Sequence, residues 1–128
     1  MSQNQTPSFV GDHDIDATTL DIIESTLANT RDEMDRVVET TAISPVIREQ
    51  SDQFPLIADP AGRMVMGQFG SAIDTIIDNS PFEVEDLEDG DVIATNDPYM
   101  CAGAVSHTPD MLLLRPIFYE DELVGYGS

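Results

Sequence analysis

The sequence contains no lysine: its five cationic side chains are all arginines, against 25 aspartates and glutamates. The formal net charge of −20 repels phosphate backbones and anionic lipid headgroups, which makes nucleic acids and membrane surfaces poor partners. Such a charge also destabilises a compact chain at low ionic strength, and salt screens the repulsion. The composition therefore favours a halophilic protein that works in concentrated salt. A solvated acidic face, or an acidic protein bound to a basic partner subunit, would have the same composition.

Cysteine and long apolar runs are also scarce. A single cysteine, Cys101, excludes an internal disulfide framework and gives no reason to expect secretion. No stretch approaches the roughly 20 apolar residues of a membrane span, and the N-terminus lacks the basic and apolar segments of a signal peptide. With 41% hydrophobic residues the chain can bury a core. We expect one folded, soluble unit in the cytoplasm.

The N-terminal part divides into a leader and a long helix. Residues 1–13 are polar and show no period, which predicts a flexible leader. Residues 17–42 carry apolar side chains at helical spacing with acidic residues on the other face, which predicts one amphipathic helix. Asp16 or Thr18 is suited to cap it, and Pro45 is expected to end it.

The remaining pattern predicts short strands and one short helix. We expect strand, tight turn and strand over residues 53–58, 59–63 and 64–68, a helix over 71–78, a buried strand over 92–94, and a hairpin over 111–126. The fold class is then α+β, with the long N-terminal amphipathic helix packed on antiparallel strand hairpins. Because the sequence ends inside a predicted strand, we expect a fragment of a larger multidomain subunit, truncated at its C-terminus.

The loop over residues 96–110 concentrates polar residues between two predicted strands, where functional sites are commonly held. His107 and Asp110 are three residues apart with Pro109 between them. A tight turn brings an imidazole nitrogen and a carboxylate oxygen onto one ion, and that donor pair suits Zn²⁺, Mn²⁺ or Fe²⁺. A catalytic site needs about three protein ligands, and two are visible. A solvated or capping His–Asp pair is the alternative.

The other polar residues of the loop have two interpretations each. Asn96 and Asp97 are candidate catalytic residues, but both are also good turn formers before a proline. Cys101 is a candidate nucleophile. No base, however, stands at a spacing that indicates a catalytic pair with it, and the other histidine, His13, is in the leader.

Four stretches of the sequence resemble segments of a known protein family. They are the opening of the long helix (17–23 with 32–34), Thr-Ala-Ile-Ser-Pro-Val-Ile-Arg-Glu at 41–49, Asp-Pro-Ala-Gly-Arg at 59–63, and Asn-Asp-Pro-Tyr at 96–99 with Ser-His-Thr-Pro-Asp at 106–110. Together they resemble the N-terminal region of the hydantoinase B/oxoprolinase family, which includes the metal-bearing subunits of acetone and acetophenone carboxylases. The resemblance covers residues 14–128, which it identifies as part of one domain.

The resemblance implies a function and a ligand set. His107 and Asp110 would bind a divalent metal together with a second histidine, which would lie just beyond Ser128. Asn96 and Asp97 would orient the ligands or the substrate. The subunit would work with a hydantoinase A-like, ATP-binding partner subunit in a hetero-oligomer, hydrolysing cyclic amides of the hydantoin or 5-oxoproline type.

Two other functions remain open. Many hydrolases of the family have Gly-Gly-Thr before the histidine, whereas this chain has Cys-Ala-Gly-Ala-Val-Ser at 101–106, so ATP-dependent ketone carboxylation is an alternative. A non-catalytic structural or interaction domain is an alternative of another class.

Overall fold

The long helix α1 is present almost as expected. The computed structural model describes residues 15–128, so the predicted leader lies outside the described residues. Helix α1 spans Ala17–Thr41, and Asp16 caps it: its carboxylate accepts hydrogen bonds from the Thr19 N–H at 3.0 Å and from the Thr19 hydroxyl at 2.6 Å. Of the two expected capping residues, Asp16 is the one that caps.

A second helix, α2, follows over Pro45–Gln50 and was not predicted. The expectation that Pro45 ends α1 is wrong, because the backbone already becomes extended at Ala42. Pro45 instead lies in the first turn of α2, where a missing N–H costs nothing, since the first helical N–H groups have no partner inside the helix.

Five short strands form one antiparallel sheet. They are β1 (Ile57–Ala58), β2 (Met64–Met66), β3 (Ile93–Thr95), β4 (Leu112–Tyr119) and β5 (Glu122–Gly127), in the order β2-β1-β5-β4-β3. The predicted hairpins are confirmed, although β1 and β2 are shorter than expected. The fold class is α+β, as predicted, with a long N-terminal helix beside antiparallel hairpins.

The core is built from residues of this sheet, of helix α3 (Ile73–Asn79) and of the loops; a single turn of 3-10 helix (Val84–Asp86), which buries none of its own residues, leads into Leu87 of the core. The buried hydrophobic residues of the core are Leu56, Ala58, Ile73, Ile76, Leu87, Cys101, Val105, Leu114 and Tyr126. The start of α3 differs slightly from expectation: Ala72 takes the capping position, while Ser71 Oγ accepts the N–H of Ile73 at 3.2 Å.

The strand predicted as buried over residues 92–94 is an exception. Val92 is exposed and lies outside β3, which is an edge strand whose residues are half-buried or exposed. That expectation was wrong because a run of three apolar residues does not distinguish a central strand from an edge strand.

Helix α1 packs loosely on the rest of the described chain. None of its 25 residues is buried. The Arg31 Nε donates to the carbonyl of Pro55 at 3.2 Å, and the Met34 methyl lies next to Gly127 of β5. Among the described residues, no helix has both the length and the apolar composition needed to cross a membrane.

Candidate metal site in the loop between β3 and β4

The loop that carries the predicted site is held at both ends by the sheet. Strands β3 and β4 pair antiparallel, with Ile93 opposite Leu114 and Thr95 opposite Leu112. Within the loop, the side chains of Cys101 and Val105 insert into the core. The backbone carbonyl of Met100, next to Cys101, also accepts a hydrogen bond from Asn79 at the end of α3, at 3.2 Å. The polar side chains therefore project from an anchored segment.

Asp97 shapes the first half of the loop. Its carboxylate accepts the N–H of Tyr99 at 2.8 Å, and its carbonyl accepts the N–H of Cys101 at 3.3 Å. The first bond is the turn that an aspartate side chain typically makes with the backbone two residues on, and the second closes a wider main-chain turn. The Tyr99 ring, 90% exposed, projects outward from that turn. The structure thus gives Asp97 a loop-forming role, and a catalytic role for it stays a prediction.

Asn96 connects the two ends of the loop. Its side-chain Nδ2 donates to the carbonyl of Thr108 at 3.0 Å. Thr108 stands between the two predicted ligands in sequence, so this hydrogen bond restrains the backbone that carries both of them.

His107 and Asp110 do come together. The His107 Nε2 lies 3.4 Å from Asp110 Oδ2, and the Asp110 N–H donates to the His107 carbonyl at 3.2 Å in a tight turn. Both side chains are more than half exposed, at 61% and 53%. On the other side of the imidazole ring, Nδ1 lies 2.9 Å from Ser106 Oγ.

This separation fits two ligands of one ion. Nitrogen and oxygen donors lie about 2.0–2.2 Å from a zinc ion, so two of them at a tetrahedral angle are roughly 3.3–3.6 Å apart. The observed 3.4 Å falls in that range, although a simple His–Asp ion pair has the same separation. Across residues 15–128, no three His, Cys, Asp or Glu side chains are close enough to hold a metal ion together.

Cys101 is not placed as a nucleophile. Its side chain is 1% exposed. Burial, followed by the negative charge of Asp97, raises the pKa of the Cys101 thiol above its ordinary value. Because the thiolate is the reactive form, both effects oppose the nucleophile interpretation.

Sequence reasoning missed Ser106 and the carbonyl of Thr108 as parts of the site. The Ser-His dipeptide was a usable signal for the first, because adjacent side chains on a tight loop often meet. The second had no signal, since any residue presents a main-chain carbonyl.

The comparisons of this chain with known proteins agree on one family. The model of the hydantoinase B/oxoprolinase family matches residues 16–128. The chain is 31% identical to an uncharacterised protein of Methanocaldococcus jannaschii, over 88% of this chain and 21% of that protein. It is also 31% identical to the B-subunit of a putative D-/L-hydantoinase from a Pseudomonas species, over 88% of this chain and 20% of that relative.

A third relative is 5-oxoprolinase 1 of Arabidopsis thaliana, 30% identical over 83% of this chain and 9% of that protein. The chain thus spans about a fifth of the length of the first two relatives and less of the third. No solved structure matches the chain.

Proposed function

Because the chain belongs to the hydantoinase B/oxoprolinase family, we propose that its β3–β4 loop supplies two metal ligands to a subunit that hydrolyses cyclic amides of the hydantoin or 5-oxoproline type. The observation that carries the proposal is the approach of His107 Nε2 and Asp110 Oδ2 to 3.4 Å. The names of a hydantoinase and a 5-oxoprolinase among the relatives support the substrate class.

Four residues of the loop have a part in this proposal. His107 and Asp110 bind a divalent ion, Zn²⁺, Mn²⁺ or Fe²⁺, through one nitrogen and one oxygen. Such an ion supplies Lewis acidity toward an amide carbonyl or water. Asn96 keeps the two ligands in register by binding the carbonyl of Thr108. Asp97 builds the turn that carries Tyr99 at the start of the loop.

The proposed site needs contributions from outside the described residues. Three protein ligands are the usual number at a catalytic zinc site. We propose that the third is a histidine beyond Ser128 in a subunit as long as the relatives, which we call the family-length protein. We assign ATP-driven activation of the cyclic amide to a hydantoinase A-like, ATP-binding partner subunit. The Pseudomonas relative is named as one subunit of a hydantoinase, which supports a hetero-oligomer.

The test is metal content in the family-length protein, measured by mass spectrometry of the bound elements. Replacing His107 or Asp110 (His107→Ala, Asp110→Asn) should remove the ion while the circular dichroism spectrum stays unchanged, because both side chains are largely exposed. His13→Ala, the change at the other histidine of these 128 residues, is the matched control and should keep full metal content. Full metal content in His107→Ala would contradict the proposal.

Ketone carboxylation is a second candidate, favoured by the Cys-Ala-Gly-Ala-Val-Ser segment at 101–106 in place of Gly-Gly-Thr. The assembled complex should be assayed with ATP and cyclic amides, and separately with ATP, bicarbonate and ketones. Carbon-14 incorporation from bicarbonate into an acid product would favour this candidate over hydrolysis.

A non-catalytic interaction domain is the third candidate, favoured by the lack of any buried residue in α1. Leu20 and Ile23 lie on one face of that helix and are exposed. Under this candidate, Leu20→Glu abolishes co-purification with the rest of the complex, whereas Ser25→Glu, on the opposite face, does not. His107→Ala would then leave turnover unchanged, which the enzymatic candidates exclude.

A further inference from the structure

We infer that Ser106 is a positioning residue that reserves the Nε2 atom of His107 for the ion by holding Nδ1. This inference rests on the metal site proposed above and adds a residue to it. Its basis is that the two ring nitrogens have different partners: Nδ1 lies 2.9 Å from Ser106 Oγ, and Nε2 lies 3.4 Å from Asp110 Oδ2.

The choice of nitrogen matters because a histidine binds a metal through only one unprotonated nitrogen. A neutral imidazole carries one N–H, and the partner of the other nitrogen decides where that proton lies. Nδ1 faces away from Asp110, so an ion bound there would not reach the carboxylate ligand. Only binding through Nε2 joins His107 and Asp110 on one ion.

A hydroxyl suits both states of the ring, because it donates and accepts hydrogen bonds. Without an ion, a proton on Nε2 would point at the Asp110 carboxylate, and Nδ1 would accept the Ser106 O–H. With an ion, the electron pair of Nε2 would bind the metal: Nε2 would lose its proton to solvent, Nδ1 would gain one from solvent, and the Nδ1–H would donate to Ser106 Oγ. The imidazole stays neutral, and the hydroxyl only rotates.

An alanine at position 106 would leave Nδ1 to water and open it to the ion as a competing ligand. Partners of this kind, which orient a ligand without touching the metal, typically change metal affinity about tenfold or more when removed. Ser106 is exposed, so replacing it disturbs no packing. Thr108 provides a matched control, because its hydroxyl makes no hydrogen bond within residues 15–128 and its side chain is exposed on the same loop.

The first arm of the test uses the metal-free 128-residue chain with ¹⁵N-labelled histidine, in concentrated KCl at pH 8. Long-range ¹H–¹⁵N spectra report the protonation and hydrogen bonding of each ring nitrogen. Ser106→Ala should move the Nδ1 signal of His107 toward that of a nitrogen without a protein partner. Ser106→Thr should restore it, and Thr108→Ala should leave it unchanged. An Nδ1 signal that is the same in Ser106→Ala and the parent chain would overturn the inference.

The second arm adds zinc to the same samples, continued to high concentration because two ligands bind weakly. In the parent chain the Nε2 signal should report ligation while Nδ1 becomes protonated. In Ser106→Ala the affinity read from this signal should fall about tenfold, or ligation should move to Nδ1. The histidine signal is decisive because zinc also binds exposed carboxylates, which are numerous here.

The outcomes separate this inference from the function it rests on. If zinc binds Nε2 with equal affinity in the parent chain and Ser106→Ala, the inference is overturned and the metal site stands. If neither nitrogen of His107 responds to zinc in the parent chain, the inference about Ser106 is overturned, whereas the proposed function is judged separately by the metal content of the family-length protein.

Discussion

The side-chain amide of Asn96 donates a hydrogen bond to the main-chain carbonyl of Thr108 at 3.0 Å, joining the end of β3 to the turn that holds His107 and Asp110. Asn96→Ala removes this connection, so the turn should open more often. We expect faster hydrogen exchange at the amides of residues 107–110 and, in the family-length protein, metal affinity lower by about tenfold. Exchange can be followed by mass spectrometry.

Thr108→Ala is the control for this prediction, since the acceptor is a backbone atom that the change leaves in place. It should exchange like the parent chain. Equal exchange in Asn96→Ala and the parent chain would show that the hydrogen bond does not restrain the turn.

The parts of this site that the sequence predicts are the contacts between residues close together in the chain. The closeness of His107 and Asp110 was predictable, because a three-residue spacing across a proline limits the backbone to tight turns. The Asp16 cap was predictable for the same local reason. The bond from Asn96 to Thr108 crosses 12 residues to a main-chain atom, and no sequence pattern marks such a partner. Helix α2 was missed because Pro45 is compatible with both the end and the start of a helix.

Cys101 should be unreactive in the folded chain. Its side chain lies in the core, and burial raises the pKa of its thiol, so little thiolate is present or reachable at pH 8. Iodoacetamide should label Cys101 slowly in native conditions and rapidly in urea, as measured by intact mass. Labelling at the rate of a free thiol without denaturant would contradict its placement in the core.

Asp59 should make stability depend on pH in the acid range. Burial tends to raise the pKa of its carboxyl, but hydrogen bonds from the side chain and N–H of Arg63, the charge of Arg63 and the Ala61 N–H together lower it below the ordinary value. Because the pKa is lower in the folded state, the stabilisation is fully present above the unfolded value of 3.8 and is lost as pH falls through the folded pKa.

The matched variant is Asp59→Asn, which keeps an acceptor for the two backbone N–H groups and removes the charge. Urea unfolding at pH 7 should show it less stable by roughly 1–2 kcal/mol, which reaches below the range of about 1.5–3 kcal/mol for a hydrogen bond to a charged group because Arg63 is exposed to solvent. The difference from the parent chain should shrink as pH approaches 3. A constant difference across that range would exclude the charge of Asp59 as its source.

We propose that the folded chain requires concentrated salt, as the net charge of −20 implies. The urea midpoint should rise from 0.1 M to 2 M KCl, because the Debye length falls from about 10 Å toward 3 Å and below. A triple variant that neutralises exposed acids of α1, Asp21→Asn with Glu24→Gln and Asp32→Asn, should rise less steeply. Parallel slopes would show that salt acts through something other than charge repulsion.

Gly62 combines a left-handed backbone conformation with a close backbone neighbour. It has φ +76° in the turn between β1 and β2, and a Cβ there would lie 2.6 Å from the backbone nitrogen of Asp74 in α3. Gly90 has a similarly positive φ of +98° but nothing within 4 Å of its Cβ position. The pair therefore separates the cost of the left-handed backbone from the cost of the close approach.

Gly90→Ala should lower the free energy of unfolding by about 1–2 kcal/mol, the ordinary penalty for an L-residue at positive φ. Gly62→Ala should lose that amount and roughly 1–3 kcal/mol more, because the clash is with backbone and the hairpin must separate from α3. Urea unfolding of both variants, in the same salt, measures the difference. Equal losses would mean that the turn over residues 59–63 does not pack on α3 as closely as the 2.6 Å approach requires.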